Sequence, residues 1–297
     1  MGRLRVGTAS WTDKTLLESG WYPPEANTPE ERLRFYASRF DVVEVDSTYY
    51  GLPSERNAAL WVERTPADFT FDVKAFSLMT GHPVLLRGLP KDIRESLPAA
   101  GPRIPAKDIP PDAAERLWEM FRSALMPLHS SGKLGLIMFQ YPQWFMPGSK
   151  ARQEILAARE RLPDYEIAVE YRQGAWFAND DATRKTLDFH RAEGIPFVAV
   201  DMPQGFKVSV PPVAEATSER FAVVRFHGRR TETWTTKNVH PTERFRYDYS
   251  DEELEEWVPR VRSMNDQAKE THALFNNCYR DQAVRNAKTF ADLVTEE

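Results

Sequence analysis

The stretch IAVEYRQGAW, residues 167–176, decides how this chain is read, because it begins as a buried strand and runs straight into charge. Side chains alternate along a strand with period two, so Ala168, Glu170 and Arg172 share one face while Ile167, Val169 and Tyr171 share the other. One face is apolar; the other ends in an ion pair.

The pattern recurs along the chain. In FAVVRFHG, Val223, Arg225 and His227 fall together, and in FTFDVK so do Thr70, Asp72 and Lys74. DVVEVD sets Glu44 and Asp46 against Val43 and Val45, and PFVAVD puts Asp201 on the face of Ala199 and Phe197. Titratable groups at strand ends are rarely buried alone, so these are expected to meet one another or a ligand.

Working outward, strands are expected over residues 4–10, 42–48, 69–74, 134–140, 165–172, 196–201, 221–227 and 272–277. Helical patterns lie between most of them, over 28–39, 54–64, 111–130, 149–162, 180–193, 250–267 and 281–294. The first opens on a Thr28 cap with Pro29 and a capping-box Glu31. Residues 203–220 show no convincing helix. Eight strands alternating with helices predict an α/β chain of (β/α)8 TIM-barrel type, a single domain over 1–297.

Two strand-to-helix connections are long: the proline-rich lid or insertion at 77–111, with seven prolines, and the loop at 228–249 after strand seven. Such loops surround the C-terminal mouth of a barrel, where the charged strand ends also point. The mouth is therefore the expected site.

With 297 residues, 41% of them hydrophobic, the chain can build a sizeable core. Its net charge of -5 gives no global basic field. Cys278 is the single cysteine, which excludes an intrachain disulfide and a multi-cysteine metal site. No leader or long apolar run is seen, so the expectation is a cytoplasmic protein without membrane association.

At the mouth, Glu170 is read as a general acid or base with Glu44 as its partner, against the alternative of a structural ion pair. Arg172, Arg225 and Lys74 would hold an anion, and Asn276 and Asn277 would orient it. Glu44, Glu170, Asp201 and His227 could also be assembled as a divalent-metal site, but the neighbouring cations already neutralise those acids, so no metal or other cofactor is expected. In the strand-seven loop, Arg229, Arg230 and Lys237 around Trp234 would suit a phosphate-bearing ligand or an unstacked base. The leading expectation is an enzyme on an anionic small molecule; the alternatives are a nucleic-acid-binding or phosphodiester-processing barrel and a non-catalytic interaction module.

The same residues carry a family resemblance over nearly the whole chain. VGTASW with GWYPP, VEVDSTYYGLPS, FTFDVKAF with TGHP, MFQYP, VEYRQGAW, VRFHGR, YDYSDEELEEW and LFNNCYRDQAVRNA resemble successive blocks of the YecE-like proteins, domain-of-unknown-function family 72. The resemblance implies a bacterial or archaeal TIM barrel with no established activity. It also implies characteristic positions at Glu44, Thr48, Tyr49, Lys74, Gln140, Glu170, Arg172, Trp176, Arg225, His227, Gly228, Tyr247, Asn276 and Asn277. Tyr49, Gln140, Trp176 and Tyr247 enter the expected substrate site on that ground, and His227 joins Glu170, Glu44 and Lys74 as a catalytic candidate. One departure stands out: Gly81 separates Thr80 from His82, where the family usually has the pair adjacent.

Overall fold

Alternating hydrophobicity resolves into eight parallel strands: β1 Arg3–Thr8, β2 Val42–Val45, β3 Thr70–Lys74, β4 Leu134–Gln140, β5 Ile167–Glu170, β6 Val198–Asp201, β7 Phe221–Phe226 and β8 Glu270–Phe275. The computed structural model describes residues 2–98, 101–236, 239 and 241–295, and of 241 and 242 only the backbone; Lys237, expected in the strand-seven loop, lies outside the described residues. Each strand pairs with its neighbours in chain order, and β8 pairs with β1. Between β5 and β6 one bridge, Val169 to Phe197, makes the join. The result is a nearly closed (β/α)8 barrel.

Local chemistry sets the helix boundaries. Pro29–Ala37 starts at Thr28 with the capping box to Glu31 formed, and Glu55–Glu63 is capped by Ser54. Two expected long helices are each broken in two: Pro111–Ala124 yields to Met126–Ser130, and Asp251–Glu255 to Val258–Gln267. Pro127 and Pro259 cause this, since proline lacks the N–H that would continue the helix and starts the next one well. Residues 202–220 contain no helix.

The 77–111 segment has more structure than an open lid. Val84–Leu85 and Arg103–Ile104 pair antiparallel, Lys91–Ser96 is helical, and Val84, Leu89, Ile93, Leu97, Ile104 and Ile109 are buried together. Its apolar residues belong to the same continuous core as those of the barrel.

Charge closes the N-terminal end of the barrel. Inward-facing His272 on β8 pairs through Nδ1 with Asp72 Oδ2 of β3 at 2.7 Å and through Nε2 with Glu270 Oε1 at 3.0 Å. Arg5 is ion-paired to Glu270 and donates to the Asp68 carbonyl at 2.8 Å. Burial opposes the charge on His272, but Asp72 and Glu270 hold its proton on and raise it to about 9. Among the described residues, no helix is long and apolar enough to cross a membrane.

Candidate functional site at the barrel mouth

The parity read from sequence places Glu44, Glu170, Arg225 and His227 in one buried cluster at the C-terminal end. Arg225 donates from Nε and Nη2 to the two oxygens of Glu44 at 2.9 and 2.8 Å, and its Nη1 is paired with Glu170 Oε2. One guanidinium thus bridges two carboxylates, and all three side chains are 0% exposed. Glu170 Oε1 receives Gln140 Nε2 at 2.7 Å, Arg172 Nη1 at 3.1 Å and His227 Nε2 at 3.0 Å. Asn276 Nδ2 lies 2.9 Å from His227 Nδ1. A neutral imidazole with its proton on Nε2 satisfies the Glu170 and Asn276 contacts, with Arg172 Nη1 3.2 Å from the same Nε2.

Protonation follows from these contacts. Burial alone would raise Glu170, yet Arg225, His227 and Arg172 hold it well below the usual carboxylate range. Burial pushes Glu44 up to about 7, against the pull of Arg225. Burial pushes His227 down to about 3: the attraction of Glu170 is opposed by Arg172 and Arg225. Glu170 is thus a fully bonded carboxylate below the surface of the site.

Above this cluster opens a cavity of about 550 Å³. Lys74, Gln140, Arg172 and Asn276 reach it from the strand ends, with Asp46, Tyr49 and Tyr50 after β2, His82 from the insertion, Trp144 after β4, and Val239, Arg244 and Phe245 from the strand-seven loop. Both long loops therefore border the mouth, as expected. Lys74 Nζ is bonded to Asp46 Oδ1 at 2.7 Å and sits 5.1 Å from the centre of the Tyr49 ring. Arg172 stacks on Trp234 at 4.9 Å and uses only Nη1 in the cluster, its Nε and Nη2 having no hydrogen-bond partner among the described residues.

Four expected positions fall elsewhere. Asp201 pairs in register with Phe226, one residue out of phase with Arg225, so it faces outward. There it binds Arg229, the Tyr249 hydroxyl at 2.8 Å and Trp257 Nε1 at 2.6 Å. Asn277 is out of phase with His272 and turns to Asn286 Oδ1 at 2.8 Å and the Tyr247 carbonyl at 2.9 Å, stapling the strand-seven loop to the C-terminal helix Gln282–Thr295. Trp176 is fully buried, stacked on Tyr171 and bonded to the Phe145 carbonyl at 2.8 Å, as part of the core. Tyr247 packs beside Gly228, where a Cβ would lie 2.5 Å from that of Tyr247 and φ is +84°, so glycine is required for the contact. It faces a separate polar pocket with Arg229 and Arg230.

Because Asp201 leaves the group, the four-ligand metal arrangement drawn from the sequence does not assemble. Among the described residues no group of three or more His, Cys, Asp and Glu is placed to hold a metal ion. Arg229 and Arg230 are engaged too, with Asp201, Glu253 and Glu256, and with Glu232 and Glu243. The cavity also recruits residues to which no site role was given, Arg244 and Phe245 among them. Their signal was position alone, late in the long loop that returns from strand seven.

The family model described as "Protein of unknown function DUF72" matches residues 5–297. The chain belongs to this family. It is 32% identical over 296 residues to the UPF0759 protein YunF of Bacillus subtilis (strain 168), covering 98% of this chain and 95% of that one. The crystal structure of the DUF72 family protein TM1631 of Thermotoga maritima MSB8 is similar at 31% identity and a TM-score of 0.77, covering 99% of this chain and all of the other. The DUF72 family protein EF0366 of Enterococcus faecalis V583, at 24% identity, shares the fold with a TM-score of 0.80 over 99% of this chain and 96% of its own. The DUF72 fold and the resemblance in the sequence blocks agree.

Proposed function

We propose that the mouth is the active site of an enzyme performing acid/base chemistry on a small anionic substrate bearing phosphate or carboxylate. The observation that carries this is Arg172: its Nη1 is fixed by Glu170 while Nε and Nη2 remain uncommitted beside the cavity. A guanidinium with one edge anchored and other donors free suits an oxyanion, and Lys74 adds a second cation on the same floor. The cavity volume is that of a small-molecule pocket.

Charge balance supports an anion over a cation. Arg225 and Arg172 offset Glu44 and Glu170, and Lys74 offsets Asp46, which takes the place the sequence had given to Asp201. A divalent ion would arrive beside fixed positive charge. In this reading Glu44, Glu170, Arg225 and His227 form the platform that positions Arg172, and Tyr49, Gln140 and Asn276 line the substrate. A nucleic-acid substrate draws less support, since Arg229 and Arg230 are held by acids of their own.

Thermal and urea unfolding in phosphate test the proposal. Phosphate at ten times its Kd should stabilise the protein by about 1.4 kcal/mol, and Arg172→Ala should abolish that gain. No response to phosphate, together with a large shift on adding magnesium, manganese or zinc, rejects the anion site.

A further inference from the structure

We propose that His82 is the proton-transferring residue of the mouth, its Nε2 taking the proton of a substrate hydroxyl while the substrate's anionic group rests on Lys74 and Arg172. This rests on the reading of the cavity as an acid/base site, and it moves the chemistry from Glu170 to the insertion. The other titratable candidates are occupied. Glu170 has four donors on its two oxygens, and Glu44 has both oxygens on Arg225. His227 uses both ring nitrogens and is 1% exposed. Asp46 holds Lys74, and Asp13 caps the turn Lys14–Leu17 and takes the Thr15 hydroxyl at 2.6 Å. Burial pushes the Cys278 thiol well up, away from thiolate.

His82 differs in having one nitrogen held and one open. Its Nδ1 lies 2.8 Å from the Thr80 hydroxyl, and Nε2 has no partner among the described residues. The Thr80 hydroxyl is 3.3 Å from the Ser77 carbonyl. Donating there, it accepts the Nδ1 proton of His82, leaving a lone pair on Nε2. Gly81 makes this geometry available. Its left-handed φ of 72° turns the chain back, and the His82 N–H closes on the Ser77 carbonyl at 3.0 Å. Tyr49 and Trp144 meet the ring edge-on at 5.3 and 5.5 Å. These contacts fix its plane.

The surroundings couple this base to its ligand. Burial, with Lys74, Arg172 and Arg103, lowers His82 to about 4, so with no anion on those cations it is neutral but weakly basic. Lys74 comes from β3, Arg172 from the end of β5 and Arg103 from the insertion hairpin; Asp46, Tyr49 and Tyr50 are the ionisable groups on the β2 side, and Arg244 lines the cavity from the strand-seven loop. An anion on Lys74 and Arg172 offsets two of the three cations and strengthens the base. In the step itself the Nε2 lone pair forms the N–H bond and the substrate O–H bond breaks, its electron pair staying on oxygen. The imidazolium gives the proton to water or to the departing group.

The test uses the full chain with inorganic phosphate, read by carbethoxylation with peptide mapping and by imidazole nitrogen-15 NMR. His82 should be modified by diethyl pyrocarbonate, with exposed His129 as the reference and buried His190, His227 and His272 unreactive. Saturating phosphate should raise the His82 titration midpoint by about one pH unit or more. An unreactive His82, or an Nε2-protonated tautomer with phosphate bound, overturns the proposal. Phosphate that binds by melting but leaves the His82 midpoint in place overturns it while the anion site stands. Phosphate that does not bind at all removes the anion site and this proposal with it.

Discussion

Each end of the barrel buries a histidine among carboxylates and arginine, and the two histidines carry different charge. His272 faces two acids, Asp72 and Glu270, with Arg5 on the far side of Glu270. His227 shares one acid, Glu170, with two arginines. The first is held protonated and the second neutral, although both are fully buried and both touch a carboxylate. What decides is the balance of the neighbours. The N-terminal end spends its ion pairs on closure, whereas the mouth keeps an arginine and a lysine beside open space.

The largest effect should come from breaking the shared pair at the mouth. Arg225→Ala strands two buried carboxylates, so urea unfolding should show a loss of about 3–5 kcal/mol. A loss under 1 kcal/mol would mean that water already reaches Glu44 and Glu170.

At the other end the sign of the pH dependence is the test. The folded His272 titrates at about 9, above its ordinary 6.5, so its stabilisation is complete below pH 6.5 and is lost as pH rises through 9. Wild type should lose on the order of 3 kcal/mol over that window relative to His272→Gln. Parallel stability curves for the two proteins would show that His272 is not held charged.

The smallest effect concerns the tautomer of His227. Asn276→Ala removes the contact at Nδ1 and should cost about 1 kcal/mol, with a change in the imidazole nitrogen-15 shifts of His227. Unchanged shifts would place the control of that ring at Nε2, with Glu170 and Arg172.

Much of this was legible in the strands because alternation is a strong constraint. Glu44, Lys74, Glu170, Arg225 and His227 were grouped by parity and meet at the mouth. Parity within one strand does not give its phase against the next, and there the reading failed. Asp201 aligns with Phe226 instead of Arg225, so the same alternation turns it to the helices. Asn276 and Asn277 were both given to the substrate, but consecutive residues of a strand face opposite sides, and it is Asn276 that reaches the cavity. The pairing of Asp72 with His272 was missed because it joins strands far apart in sequence. Its trace was Asp72 two residues before Lys74 on one face, which sets the pair at the opposite end from the mouth. The role proposed for His82 was not read from the sequence for a different reason: it depends on the turn at Gly81 and on rings brought in from two other loops.

The single bridge between β5 and β6 gives the wall a seam. Elsewhere a ladder of main-chain bonds fixes neighbouring strands, but here the join relies on the Val169 N–H to the Pro196 carbonyl at 2.9 Å and on rings such as Phe177 against Phe197. Glu170 and Arg172 ride on one lip of that seam, while Arg225 and His227 stand one strand beyond the other. Breathing along this line would part the guanidinium of Arg172 from His227 and let solvent down to Glu170 without unpacking a helix. The floor is therefore held across the seam from both sides, by Arg225 and His227 on Glu170 within the barrel and by Phe177 against Phe197 outside it.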